Sequence, residues 1–190
     1  ENQTVLESVS PSLDQNLTVN RPHLWDGIAD PYLYSVRVEV IMDGKVIDTM
    51  NEPLGLRFYN FNKDKGFFLN GKPYRLRGVC LHQDHNISGW AASHADLDED
   101  MSIIREMGAN AVRMAHYPHS DYMLQLCDRN GIIAWAEIPM VNNLGISDAF
   151  AENGCSQLTE LIAQRGNHPA IVTWGLWNEL QTGAPALSII

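Results

Sequence analysis

Cationic side chains are scarce in this chain: 13 lysines and arginines face 23 aspartates and glutamates, a formal net charge of −10 over 190 residues. That balance argues against holding nucleic acid or an anionic membrane surface through bulk electrostatics. No apolar run approaches the roughly 18 residues of a membrane-spanning helix, and residues 1–20 lack the charged start and apolar core of a secretion signal. Only three cysteines occur, Cys80, Cys127 and Cys155, odd in number and far apart. They make no disulfide framework, and no CxxC pair offers a metal or redox site. There is no glycine-rich phosphate loop after the first α/β strand and no GxxxxGK[ST], so a nucleotide-binding sheet is disfavoured. No HExxH pairs two histidines on one helix face, which disfavours a catalytic transition metal.

What is present is ordinary globular composition, 45% hydrophobic and 19% charged, arranged in two textures that meet near residue 61. In the first, Tyr34 to Val40 alternates with period two, Asp43-Gly44 signals a hairpin turn, and Lys45 to Thr49 follows. Gly55 to Asn60 is a further strand candidate, and Pro22, Pro31 and Pro53 argue against helices. This reads as part of a β-sandwich, residues 1–61, shorter than the roughly 100 residues typical of one.

From residue 62 to 190 the pattern becomes strand, loop, helix. A small hairpin turns at Asn70-Gly71. Strands are predicted over Tyr74–Cys80, Ala109–Ala115, Ile132–Ile138 and Ala170–Trp177. Between them run helices carrying Leu97, Met101 and Ile104, with Asp96 as N-cap; Met123, Leu126 and Cys127, capped by Ser120; and Leu158, Leu161 and Ile162, starting at Ser156. Alternating strands and helices imply parallel βαβ units. The fold class expected is therefore mixed β and α/β: a partial immunoglobulin-like sandwich followed by the first half of a TIM (β/α)8 barrel, strands one to four.

In such a barrel the C-terminal strand ends carry catalysis. The first strand runs into His82, Gln83, Asp84 and His85, and the second into Arg113, His116 and Tyr117. The third delivers Glu137, and the fourth Asn178 and Glu179. Four successive strand ends gathering polar groups outweigh the structural reading of any one of them. Trp90, Trp135, Trp174 and Trp177 suit the apolar face of a pyranose, Trp177 above all because it neighbours Asn178-Glu179.

The stretch Asn110 to Pro118, running on through Asp128-Arg129-Asn130-Gly131 to Trp135, resembles the first signature of glycoside hydrolase family 2. Arg165 to Gly175, closing in Asn178-Glu179, resembles the second. Gly66–His85 is similar to that family's barrel entry, and Leu24-Trp25 with Pro31 to Tyr34 to its sandwich; within the family the likeness points to bacterial β-galactosidases. The resemblance implies a retaining β-glycosidase, with a β-galactoside as the carbohydrate substrate and Glu179 as general acid/base. Asn178 would hydrogen-bond the sugar 2-hydroxyl. His116 and His82 would line the sugar subsite, and Arg113 would orient the carboxylates; Asp84, from its strand-end place, and Trp177, from its aromatic face, are the further substrate-binding candidates. No cofactor is required. Some relatives hold Mg2+ through a third-strand glutamate, a nearby histidine and the acid/base; Glu137 matches the first, but Ile138-Pro139-Met140 offers no histidine. β-Glucuronidase and β-mannosidase are alternatives within the family, and a non-catalytic carbohydrate-binding protein is the alternative outside it.

Retention needs two carboxyl groups roughly 5–5.5 Å apart, and the family's nucleophile lies on a later strand than any in this chain. The expectation is a fragment carrying the acid/base half, inactive alone and self-associating through open barrel edges, from a homo-oligomeric parent. A bacterial cytoplasm or periplasm is compatible with the chain; nothing in the sequence selects one.

Overall fold

The structure, a computed structural model, describes residues 3–12, 14–142, 145 and 147–179. Residues 180–190, the end of the expected barrel segment, lie outside the described residues. Two long strands come first, β1 (Tyr34–Met42) and β2 (Lys45–Leu54), paired antiparallel in a two-stranded sheet. Asp43 and Gly44 both adopt positive φ, at 51° and 72°, as a tight primed turn requires. Most of this hairpin is exposed, including Val38, Val40, Ile41, Met42, Val46, Ile47 and Met50.

The third strand does not begin at Gly55. It is β3 (Tyr59–Asn62), which pairs with β4 (Gly66–Leu69) and through it with β5 (Lys72–Pro73). Residues 55–57 are drawn off by tertiary contacts instead. Arg57 donates from Nε to the Pro169 carbonyl at 3.0 Å and from Nη2 to the Ile171 carbonyl at 2.7 Å.

Four parallel strands then form one sheet in the order β6-β7-β8-β9: β6 (Gly78–Leu81), β7 (Ala111–Met114), β8 (Ile133–Glu137) and β9 (Ile171–Gly175). The first is shorter than its apolar pattern suggests, because the Asn110 side chain takes the backbone before it: Oδ1 accepts from Arg77 N at 2.6 Å and Nδ2 donates to the Arg75 carbonyl at 2.9 Å. The crossovers are α1 (His94–Glu106), α2 (Asp121–Asn130) and α3 (Asp148–Arg165). The α1 N-cap is Ser93 rather than Asp96; Asp96 is the reciprocal partner three residues on, closing a capping box. Ser120 caps α2 as expected. By contrast, α3 starts at Asp148, capped by Ser147, well before Ser156. Gly154 depresses the helical signal there; a Cβ at that position would meet the terminal methyl of the flexible Met140 side chain.

Val112, Met114, Ala134 and Ala136 join Leu97, Met101 and Ile104 of α1 and Met123, Leu124 and Cys127 of α2 in one core. Full burial of each larger side chain contributes about 1.5–3 kcal/mol. Trp25, Phe67 and Leu69 belong to the same core, so the N-terminal segment is fastened to the foot of the barrel. The Trp25 indole donates to the Asp128 carbonyl at 2.8 Å, while the Asp128 carboxylate lies 2.6 Å from His168 Nδ1 and accepts from Ala170 N at 3.0 Å. Gly131 ends α2 in the left-handed conformation, φ 70°, and a Cβ there would overlap the Gly27 carbonyl. Strand alternation turns Arg113 and Trp135, register partners of each other and of Cys80 and Thr173, to the opposite face, which in a closed barrel is the interior.

Candidate active site

At the C-terminal end of this sheet three strands supply one polar cluster. Glu137, last residue of β8, is only 1% exposed. Its Oε1 accepts from Arg113 Nε at 2.5 Å and its Oε2 lies 3.1 Å from His116 Nδ1. Arg113 also donates from Nη2 to Asn178 Oδ1 at 2.9 Å, so the guanidinium ties the third-strand acid to the fourth-strand amide. The hydrogen bond to Glu137 holds the Arg113 pKa above its ordinary value. The guanidinium carbon lies 5.1 Å from the centre of the half-exposed Trp135 ring, within cation–π range.

Close approach here depends on Gly175. A Cβ on it would stand 2.6 Å from Glu137 Cγ and overlap the Trp135 indole nitrogen. A glycine inside a β-branched strand is the sequence signal of such an approach, and it passed unused in the motif.

Beyond the strands the backbone goes on pairing. Asn178 N donates to the Met140 carbonyl at 2.8 Å and the Asn178 carbonyl accepts from Asn142 N at 3.0 Å. Asn178 is buried and its position fixed from two directions. Glu179, next in sequence, is exposed, makes no hydrogen bond among the described residues and has φ 51°. Left-handed backbone at a non-glycine costs of order 1–3 kcal/mol and is found at functional positions.

Arg113, Trp135, Trp174, Trp177, Asn178 and Glu179 line an open cleft of about 400 Å³. His116 is not among the residues lining the cleft but contacts Glu137, and His82 lies beside His116, the ring centres 5.2 Å apart and nearly perpendicular. Asp84 is not brought in: it is exposed, with no hydrogen bond or ion pair among the described residues. His85 turns away to Asp100, 3.1 Å off. His119 is buried; its Nε2 donates to the Ala115 carbonyl, and desolvation holds its pKa below the ordinary value. No local pattern marks the brace formed by Gln83. That residue donates from its backbone to the Tyr117 hydroxyl at 3.0 Å and accepts from Ser120 N through its side chain, joining the loops after β6 and β7.

Glu137 does not fit the magnesium site that the resemblance implies. Both its oxygens face nitrogen, one of them a guanidinium that already supplies positive charge. Among the described residues no three His, Cys, Asp or Glu side chains are grouped to hold a metal ion. No step is derived through a metal.

A sandwich segment fastened beneath parallel β/α units, with an amide and a carboxylate at a strand end, defines the class: an immunoglobulin-like domain leading into a TIM-barrel domain. The profile described as "Glycosyl hydrolases family 2, TIM barrel domain" matches residues 62–189, and "Glycosyl hydrolases family 2" matches residues 1–57. Relatives include a β-glucuronidase of Bacteroides fragilis, 49% identical over 87% of this chain and 25% of that protein, and the β-galactosidase BoGH2A of Bacteroides ovatus, 33% identical over 87% and 20%. Among solved structures, a putative β-galactosidase from Bacteroides fragilis superimposes with a TM-score of 0.81 at 48% identity, covering 87% of this chain and 24% of that one. Parabacteroides merdae β-glucuronidase does so with 0.80 at 36%, covering 92% and 23%. The chain belongs to glycosyl hydrolase family 2. It spans about a fifth to a quarter of the length of these relatives.

Proposed function

We propose that this chain supplies the acid/base half of a retaining β-glycosidase site, with the sandwich giving way to the barrel at residues 61/62. The observation that carries this is the fixed placement of Asn178 at the end of β9, which delivers Glu179 to the rim of the cleft beside three tryptophans. On this reading Glu179 protonates the glycosidic oxygen as the bond to the anomeric carbon breaks. A nucleophilic carboxylate, supplied by a strand other than these four, takes the sugar. Glu179 then removes a proton from the water that releases it. Asn178 and His116 contact the sugar hydroxyls, with His82 and Trp177 alongside; Arg113 orients the others.

For the sugar, we infer a terminal β-D-glucuronide, supported by the β-glucuronidases among the relatives. A β-D-galactoside is the second reading, favoured by the relatives that bear the β-galactosidase name. Arg113 is largely engaged within the cluster, its Nε donating to Glu137 and its Nη2 to Asn178. A cation selecting a sugar carboxylate would come from another part of the site. Assay of the intact protein containing these residues against nitrophenyl β-glucuronide and β-galactoside tests this: turnover of the first supports the leading reading, turnover of the second alone the other. No turnover of either by a folded protein refutes both.

A further inference from the structure

We infer that Glu137 is a positioning residue that sets the hydrogen-bonding polarity of both sugar contacts: it makes His116 an acceptor and, through Arg113, makes Asn178 a donor. The inference rests on the sugar-binding roles proposed for those two residues, and it replaces the metal-ligand role that the resemblance gave Glu137.

The chemistry follows from counting donors and acceptors. An ionised carboxylate only accepts. With Glu137 Oε1 filled by Arg113 Nε, Oε2 is left to accept from His116 Nδ1, which must then carry its hydrogen. In a neutral imidazole the other nitrogen, Nε2, keeps its lone pair. Nε2 has no hydrogen-bond partner among the described residues. The one unpartnered buried side-chain atom among them is His119 Nδ1, so the described residues do not seal His116 Nε2 from solvent. It presents an acceptor, suited to a hydroxyl that donates.

Asn178 is oriented by the same carboxylate at one remove. Arg113 only donates, so the atom facing its Nη2 at 2.9 Å must be the amide oxygen. The Asn178 amide nitrogen has no partner among the described residues and is likewise not sealed from solvent. It presents a donor, suited to a hydroxyl that accepts. One buried anion thereby fixes two ends of opposite polarity. A sugar with one hydroxyl donating to His116 and another accepting from Asn178 is the ligand chemistry this pattern takes.

Two measurements test it. The first is the ring 15N–1H correlation of His116 in the neutral form, assigned by comparison with His116→Gln. The wild type is expected to show hydrogen on Nδ1. In Glu137→Gln, whose amide can donate toward His116, the hydrogen moves to Nε2. Hydrogen on Nε2 in the wild type overturns the inference without any variant, so a Glu137→Gln protein that fails to fold leaves it falsifiable.

The second uses deoxy and deoxyfluoro glycosides with the intact protein, because fluorine accepts weakly and cannot donate. Read as competitive inhibition constants, which fluorine's inductive effect on the transition state does not enter, deoxy and fluoro replacement at the hydroxyl facing His116 should weaken binding equally, by about tenfold for one lost contact. At the hydroxyl facing Asn178, fluorine should retain part of what deoxy loses. Equal losses at both positions overturn the polarity assignment. If the His116 tautomer is as expected and no glycoside is bound or turned over, the glycosidase reading fails, and the claim about sugar contacts falls with it while the tautomer stands.

Discussion

Replacing Arg113 with methionine should unfold much of the stability of this chain, and restoring balance at Glu137 should recover part of it. The Glu137 carboxylate is almost wholly buried and is held by a 2.5 Å bond from Arg113 and a 3.1 Å bond from His116. Arg113→Met removes the charge-assisted bond and leaves a buried anion with one neutralisable partner. Breaking a buried pair from one side costs about 3–5 kcal/mol, against total stabilities of roughly 5–15 kcal/mol for a domain. With a urea slope of about 2 kcal/mol/M, the midpoint should fall by roughly 1.5–2.5 M. Arg113→Met/Glu137→Met removes both charges and keeps the volume, so it should be more stable than Arg113→Met alone by at least about 1 kcal/mol. Urea melts followed by tryptophan fluorescence and far-ultraviolet dichroism read all three proteins. A midpoint shift below about 0.5 M for the single variant, or a double variant no better than the single, refutes the account of the cluster.

Gly175→Ala should destabilise by about 1–3 kcal/mol, read by the same melts, because its methyl meets Glu137 and Trp135. Burial holds the His119 pKa below its ordinary 6.5, so the unfolded chain binds more protons below about pH 6.5 and stability should fall on acidification through that range; His119→Phe should flatten that part of a stability–pH curve. Cys127 is buried with its thiol pKa pushed up, whereas Cys80 and Cys155 are exposed. Native protein should therefore titrate two thiols with an aromatic disulfide reagent and a third only in denaturant. β6 and β9 are the two edges of the parallel sheet, and the β1–β2 hairpin exposes apolar side chains, so the 190-residue chain should self-associate and bind a hydrophobic dye. A monodisperse, dye-silent monomer by light scattering contradicts that.

The architecture was legible wherever local periodicity and capping agree. The Asp43-Gly44 and Asn70-Gly71 turns, the Ser120 cap and the four parallel strands are each specified within a few residues, and each forms near where its pattern lies. Elements set by distant partners were misread. The Leu56 carbonyl is taken by Trp25 N and the Arg57 side chain by the Pro169 and Ile171 carbonyls, the start of β6 by Asn110, and the first turns of α3 are obscured by Gly154. Strand-end logic picked out Arg113, His116, Glu137 and Asn178, which the structure brings together, since it needs only the order of strands and the residues following them. Asp84 follows the right strand but has no hydrogen bond or ion pair among the described residues. Glu137 was left as a metal candidate, because only three-dimensional pairing reveals that its oxygens are already occupied.

The central claim, that Glu179 is the acid/base of a retaining site, is tested most directly by azide rescue of Glu179→Ala in the intact protein. Without the acid/base, an aryl glycoside with a good leaving group still glycosylates the nucleophile, but water is no longer deprotonated to release the sugar. Azide is already a strong nucleophile and needs no base. The account predicts a crippled variant whose turnover rises with azide and whose product is the β-glycosyl azide. An α-glycosyl azide, or a variant as active as wild type with no response to azide, would contradict it.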